Sequence, residues 1–221
     1  MSAPKTAAGA PGHHPWYLAH HFDNIQIQNH AVRLGMWLFL GTEVLLFAGL
    51  FLGYSVYRWL YPEAFIAGAA ALSLPLGTIN TVVLITSSFT VAWAYHAVKH
   101  DQIKLGERLL AVTIFCALIF LVVKYFEYSH KFHVGQLPGR HYAFADIQAP
   151  GINIFFAVYF LATGLHAFHV IVGMSVLAWV LVRVRKGKYS SEHYVPVELG
   201  ALYWHLVDLV WIFLFPLLYL I

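Results

Sequence analysis

The chain has 221 residues, of which 60% are hydrophobic and only 10% charged, with a mean hydropathy of +0.69; that balance excludes an ordinary soluble domain. The formal net charge of +3 does not mark a nucleic-acid binder, because the cations sit in short breaks between apolar runs, where they set membrane topology. The single cysteine, Cys116, lies inside an apolar run, which rules out a disulfide framework and a cysteine-based metal site.

Residues 1–30 read as an N-terminal cytoplasmic tail rich in Ala, Gly, Pro and His, with no apolar stretch of the signal-peptide kind before the first span. Its histidines suit adventitious metal binding only. Residues 31–221 then form one membrane domain with five predicted spans, over 31–60, 75–100, 105–128, 151–184 and 196–221. Each meets the roughly 20 residues a bilayer crossing needs, and the fourth is long enough to tilt. Such lengths exclude barrel strands. The expected fold is therefore all-α, a polytopic bundle of five transmembrane helices.

Topology follows from the basic residues. Lys5, Arg33, Lys99, Lys104, Arg108, Arg183, Arg185, Lys186 and Lys188 fall on one side, and Arg58, Lys124, Lys131 and Arg140 on the other. Nine against four places the N-terminus in the cytoplasm and the C-terminus outside. The outer loop around 130–150 is the longest connection. Gly49 and Gly53 form a small-xxx-small pair suited to helix contact.

The first span carries one charge, Glu43, near its middle. A carboxylate at that depth costs roughly 2.5–3.5 kcal/mol on insertion scales unless it is protonated or paired. His166, His169, His205 and Asp208 are the other polar groups expected inside the membrane. Counting 1.5 Å per residue from the cytoplasmic ends, Glu43, His205, Asp208 and His169 lie roughly 14–21 Å deep, with His166 at roughly 26 Å. His166 and His169 share a helix face, as do His205 and Asp208, each pair being three residues apart. Glu43 is expected to be shielded by a histidine of the fourth or fifth span. Three uses remain open at this point: a structural polar network, a proton or ion path, and a cofactor site. For the last, His169 and His205 are the only pair matched in depth for bis-histidine haem. A di-iron carboxylate site needs more Glu-x-x-His motifs than the one at Glu127 and His130. Lys124 and Glu127 are expected to snorkel to the interface. The Arg183–Lys188 cluster reads as topology-setting, or as a site for an anionic lipid headgroup.

Several stretches resemble the haem–copper oxidase subunit III family. Residues 35–57, GMWLFLGTEVLLFAGLFLGYSVY, are similar to its segment with an intramembrane carboxylate, on which Glu43 falls. The stretches 80–97 (NTVVLITSSFTVAWAYHA), 126–132 (FEYSHKF), 159–173 (YFLATGLHAFHVIVG) and 203–213 (YWHLVDLVWIF) resemble further family helices in order.

The resemblance implies a subunit without redox centres of its own, the haems and copper belonging to subunits I and II. It implies packing beside subunit I, contact with subunit II and further respiratory-complex subunits, bound phospholipid, and support of proton uptake and of the catalytic subunit during turnover. By the same resemblance Arg183 falls on a position that holds a lipid phosphate, with Lys186, Lys188, His20 and His21 carried over alongside. The chain lacks the first two helices of the seven-helix form, so the family's lipid cleft is incomplete unless a neighbouring subunit fills it. The short form points to a bacterial inner membrane. Glu43, where quinol-oxidase relatives carry Asp, favours a cytochrome c oxidase; a quinol oxidase is the alternative, and an independent haem protein using His169 and His205 the alternative of another class.

Overall fold

The computed structural model describes residues 17–138, 142–143 and 149–221. Six helices follow in order: α1 (Ile25–Leu60), α2 (Pro62–Ala70), α3 (Leu74–Lys99), α4 (Ile103–Val134), α5 (Ile152–Arg185) and α6 (Val195–Tyr219). Five are long and apolar enough to cross a membrane, and the described residues contain no strand. The helix missed by the sequence reading is α2, nine residues between the first two spans.

Local chemistry sets the ends. The Asn24 side chain accepts the Ile27 N–H at 2.8 Å and starts α1 six residues before the expected boundary. Pro62 opens α2, where its missing N–H costs no hydrogen bond. Gly135, at φ 82°, closes α4 by donating its N–H to the Lys131 carbonyl. That end lies six residues beyond the expected one. Lys5 and Arg140, counted in the charge asymmetry, lie outside the described residues.

Helices α3 to α6 form the core, with α3 and α4 a tightly packed antiparallel pair. Gly106 lets them approach: a Cβ there would lie 2.6 Å from the Val98 side chain. Gly173 does the same for α5 and α6, its virtual Cβ meeting the Trp204 ring at 2.9 Å. Helix α1 docks through a narrow seam, Leu40, Phe47 and Tyr54, whose seven-residue spacing keeps one edge toward the bundle. Its other faces are open to lipid, with Leu45 and Trp59 72% and 81% exposed. A Cβ added at Gly49 or Gly53 would meet nothing within 4 Å among the described residues. The Tyr54 hydroxyl donates to the Leu217 carbonyl, one of the last carbonyls of α6, which lack intrahelical partners. Phe65 of α2 packs edge-on against Tyr54 and Phe155, each at 5.3 Å between centroids.

Charged contacts tie helix ends and loops at one end of the bundle. Arg33 pairs with Glu198 at 2.7 Å and Arg185 with Glu107 at 2.8 Å. Asp101, at φ 58° in the α3–α4 turn, accepts from the Ser191 N–H at 2.8 Å and from its hydroxyl at 2.6 Å. The Ser191 hydroxyl and N–H together hold the Asp101 carboxyl below its ordinary range.

Candidate functional site: the intramembrane polar groups

Glu43 of α1 meets His169 of α5, with Oε2 2.7 Å from Nε2. The other ring nitrogen, Nδ1, lies 2.8 Å from the Leu165 carbonyl. A carbonyl only accepts, so Nδ1 carries a hydrogen. The short Nε2–Oε2 contact then requires a second proton, on the ring or on the carboxyl; without it two lone pairs would face each other. The pair therefore holds one proton across that contact, as imidazolium–carboxylate or as imidazole–carboxylic acid. Phe47 and Phe168 flank the ring at 5.0 and 5.7 Å, and the Glu43 and His169 side chains are 16% and 8% exposed.

His205 does not join this pair. Its Nδ1 lies 2.7 Å from the Ser88 hydroxyl of α3, and the ring edges an apolar groove between α1 and α6 lined by Trp37, Gly41 and Val44. His169 and His205 are thus committed to different partners on different helices. His166 is fully buried, with its ring 5.5 Å from Phe120 and 5.3 Å from Trp211, and among the described residues neither nitrogen has a hydrogen-bond partner. Asp208 is 2% exposed, with the Ser87 and Ser88 hydroxyls of α3 beside its carboxyl. Both hydroxyls also have other partners: Ser87 donates to the Leu84 carbonyl and accepts the Trp204 indole N–H, while Ser88 faces His205.

The expectation that Lys124 and Glu127 snorkel to the interface is overturned. Both are 3% exposed and form a 2.9 Å ion pair. Lys124 also donates to the hydroxyls of Tyr159 and Tyr219, at 3.2 and 3.0 Å. Tyr219 donates to the second Glu127 oxygen at 2.7 Å. All three ammonium hydrogens and both carboxylate oxygens are thereby used, which is what a buried ion pair requires. Lys131, one turn on, is 2% exposed and donates to Gln136 at 3.2 Å. The sequence carried one sign of this. Lys124, Glu127 and Lys131 stand at i, i+3 and i+7, on a single helix face, whereas snorkelling makes no demand that they share one.

Of the residues expected at a lipid headgroup, Arg183 stacks over the Trp179 ring at 4.9 Å. Trp179 ends an apolar groove of 380 Å³ between α1, α5 and α6, also lined by Met36, Phe39, Val172 and Tyr203. Lys186 and Lys188 are exposed just beyond. His20 and His21 are exposed on the segment before α1, in edge contact with each other at 5.3 Å. Among the described residues, no group of three or more His, Cys, Asp or Glu is placed to hold a metal ion.

A bundle of five membrane-length helices with an acid–histidine pair between its first and fourth spans defines a polytopic helical membrane protein. The chain belongs to the cytochrome c oxidase subunit III family: the family model of that description matches residues 16–221. Similar relatives, each named cytochrome c oxidase subunit 3, come from distant sources. The protein of Synechocystis sp. is 34% identical over 188 residues, covering 85% of this chain and 74% of the relative. That of Prototheca wickerhamii is 30% identical over 223 residues, and that of Cyprinus carpio 32% over 213, each covering 92% of this chain and 73% of the relative.

Proposed function

We propose that this chain serves as the non-redox third subunit of a proton-pumping terminal cytochrome c oxidase, which reduces O2 to water. Its family membership supports the subunit assignment, and the Glu43–His169 pair, holding one proton between two membrane-spanning helices, is the observation that carries its role in proton supply. The haems and copper reside in subunits I and II, and the chain has no catalytic activity alone. It packs against subunit I, with subunit II and further respiratory-complex subunits nearby, in a bacterial inner membrane with its N-terminus in the cytoplasm. The charge asymmetry supports that orientation: of the four cations assigned to the outer side, Lys124 and Lys131 are buried within the bundle. A cytochrome c donor fits the names of the relatives and the glutamate at position 43.

Phospholipid is part of this reading. The groove ending at Trp179 and Arg183 pairs apolar walls with a cation at one end, the arrangement an acyl chain and its phosphate require. The test is turnover of the assembled oxidase. Glu43→Gln is expected to leave the haem content unchanged while proton uptake slows and activity decays sooner during turnover. Unchanged proton uptake and unchanged decay would remove the proton-supporting role.

A further inference from the structure

The Lys124–Glu127 ion pair leaves one charge of its cluster without a counter-charge. Lys131 stands one turn beyond Glu127 on α4 and is 2% exposed, with the Phe156 and Tyr159 rings each 5.5 Å from its ammonium. Among the described residues no carboxylate lies within ion-pair distance of it. Its acceptors are neutral and long, the Gln136 side chain at 3.2 Å and the Ala71 carbonyl at 3.4 Å. An ammonium has three hydrogens to donate. Two lysines against one glutamate give the buried cluster one excess positive charge, and a buried charge is costly unless it is paired.

Beside Lys131 lies a pocket of 290 Å³, lined by Ala71, Ser73, Leu76, Glu127, His130 and Lys131 itself. Ala71, whose carbonyl accepts from the ammonium, belongs to this wall, which sets the ammonium at the edge of the pocket. Helix α3 begins here as well. Ser73 is its N-cap and makes no side-chain capping bond, so the first N–H groups of a 26-residue helix add positive potential to that of the lysine. Glu127 would repel an anion, but its two oxygens are taken by Lys124 and Tyr219.

We propose that this pocket is an anion site, holding one small monoanion, a halide or a carboxylate, against the Lys131 ammonium. One excess charge calls for one negative charge, which favours these over a divalent phosphate or sulfate. A carboxylate has two sources, a free ion or a side chain of a neighbouring subunit, and both present the same chemistry to Lys131. The site uses neither Glu43 nor His169, so it stands independently of the proton-supporting role.

Thermal unfolding of the full solubilised chain tests the site, with bromide or acetate replacing a bulky sulfonate at constant ionic strength. One ion or both should raise the midpoint saturably, by about 3–6 °C at tenfold excess over the dissociation constant. Lys131→Met should abolish the rise. Ser73→Trp, which fills the pocket and keeps the lysine, should abolish it too. No rise with either ion would overturn the site, and a rise that persists in either variant would mean an adventitious ion only. Crystals of the assembled oxidase grown in bromide separate the sources: an anomalous peak in the pocket marks a free anion, and a neighbouring subunit's carboxylate there marks a partner. An empty pocket would overturn the proposal. So would Asp146, which lies outside the described residues, if it proved to be the counter-ion of Lys131.

Discussion

Removing His169 is predicted to harm the chain more than neutralising Glu43, although both changes fall on the same contact. In Glu43→Gln the amide can still donate to Nε2 of a neutral His169, whose Nδ1 remains bonded to Leu165. The loss is then the charge assistance alone, about 1 kcal/mol. In His169→Phe the carboxyl of Glu43 keeps no partner, with a side chain only 16% exposed. Breaking a buried pair in this way costs about 3–5 kcal/mol, and residual exposure at Glu43 favours the low end, about 3 kcal/mol. The double variant Glu43→Gln/His169→Phe leaves a neutral amide in place of an unpaired acid, so about 2 kcal/mol of coupling should appear between the two changes. Equilibrium unfolding of the solubilised chain in a dodecyl sulfate titration measures all three. Equal single-variant losses, or additivity within about 0.5 kcal/mol, would refute the shared-proton contact.

The Lys124–Glu127 pair should show the same asymmetry: Lys124→Met alone is expected to destabilise by about 3 kcal/mol, and adding Glu127→Gln to recover part of that loss in the same titration. Gly68→Ala is expected to cost about 1–3 kcal/mol by overpacking, because a Cβ there would fall 2.2 Å from the Phe155 ring; thermal unfolding reads it. The Asp101–Ser191 contact gives a pH dependence with a definite sign. The folded-state pKa of Asp101 is depressed, so its clamp is fully present above the unfolded value of about 3.9 and is lost as pH falls through the lower folded value. Hydrogen exchange at the Ser191 amide should therefore be protected at neutral pH and lose protection in acid, while Asp101→Asn should weaken the protection at neutral pH and remove its pH dependence.

The five spans were legible because a bilayer crossing imposes a length and an apolarity that few other structures need. Glu43 stood out for the same reason, as a charge with no cheap place to sit. Its partner was narrowed to two helices, but depth counting carries no information on the rotation of α5 and α6, so choosing His169 over His205 took three dimensions. That rotation instead aims His205 at Ser88. Helix α2 stayed hidden because nine residues rich in alanine lack both the length of a span and a polar face. Lys124 and Glu127 were misplaced because their burial depends on Tyr159 and Tyr219, 35 and 95 residues beyond Lys124 in sequence. Local pattern near a helix end favours snorkelling; two hydroxyls from other helices reverse that preference.

As a non-redox member of an oxidase complex, this chain should be recovered with its partner subunits. Affinity purification of the tagged chain from its native membrane in mild detergent, with mass spectrometry and a visible spectrum, tests it most directly. Recovery of subunits I and II in stoichiometric amounts, with the haem assigned to subunit I and copper to subunits I and II, is the predicted result. Purification of the chain alone, carrying its own stoichiometric haem, would contradict the account and return His169 and His205 to consideration as ligands.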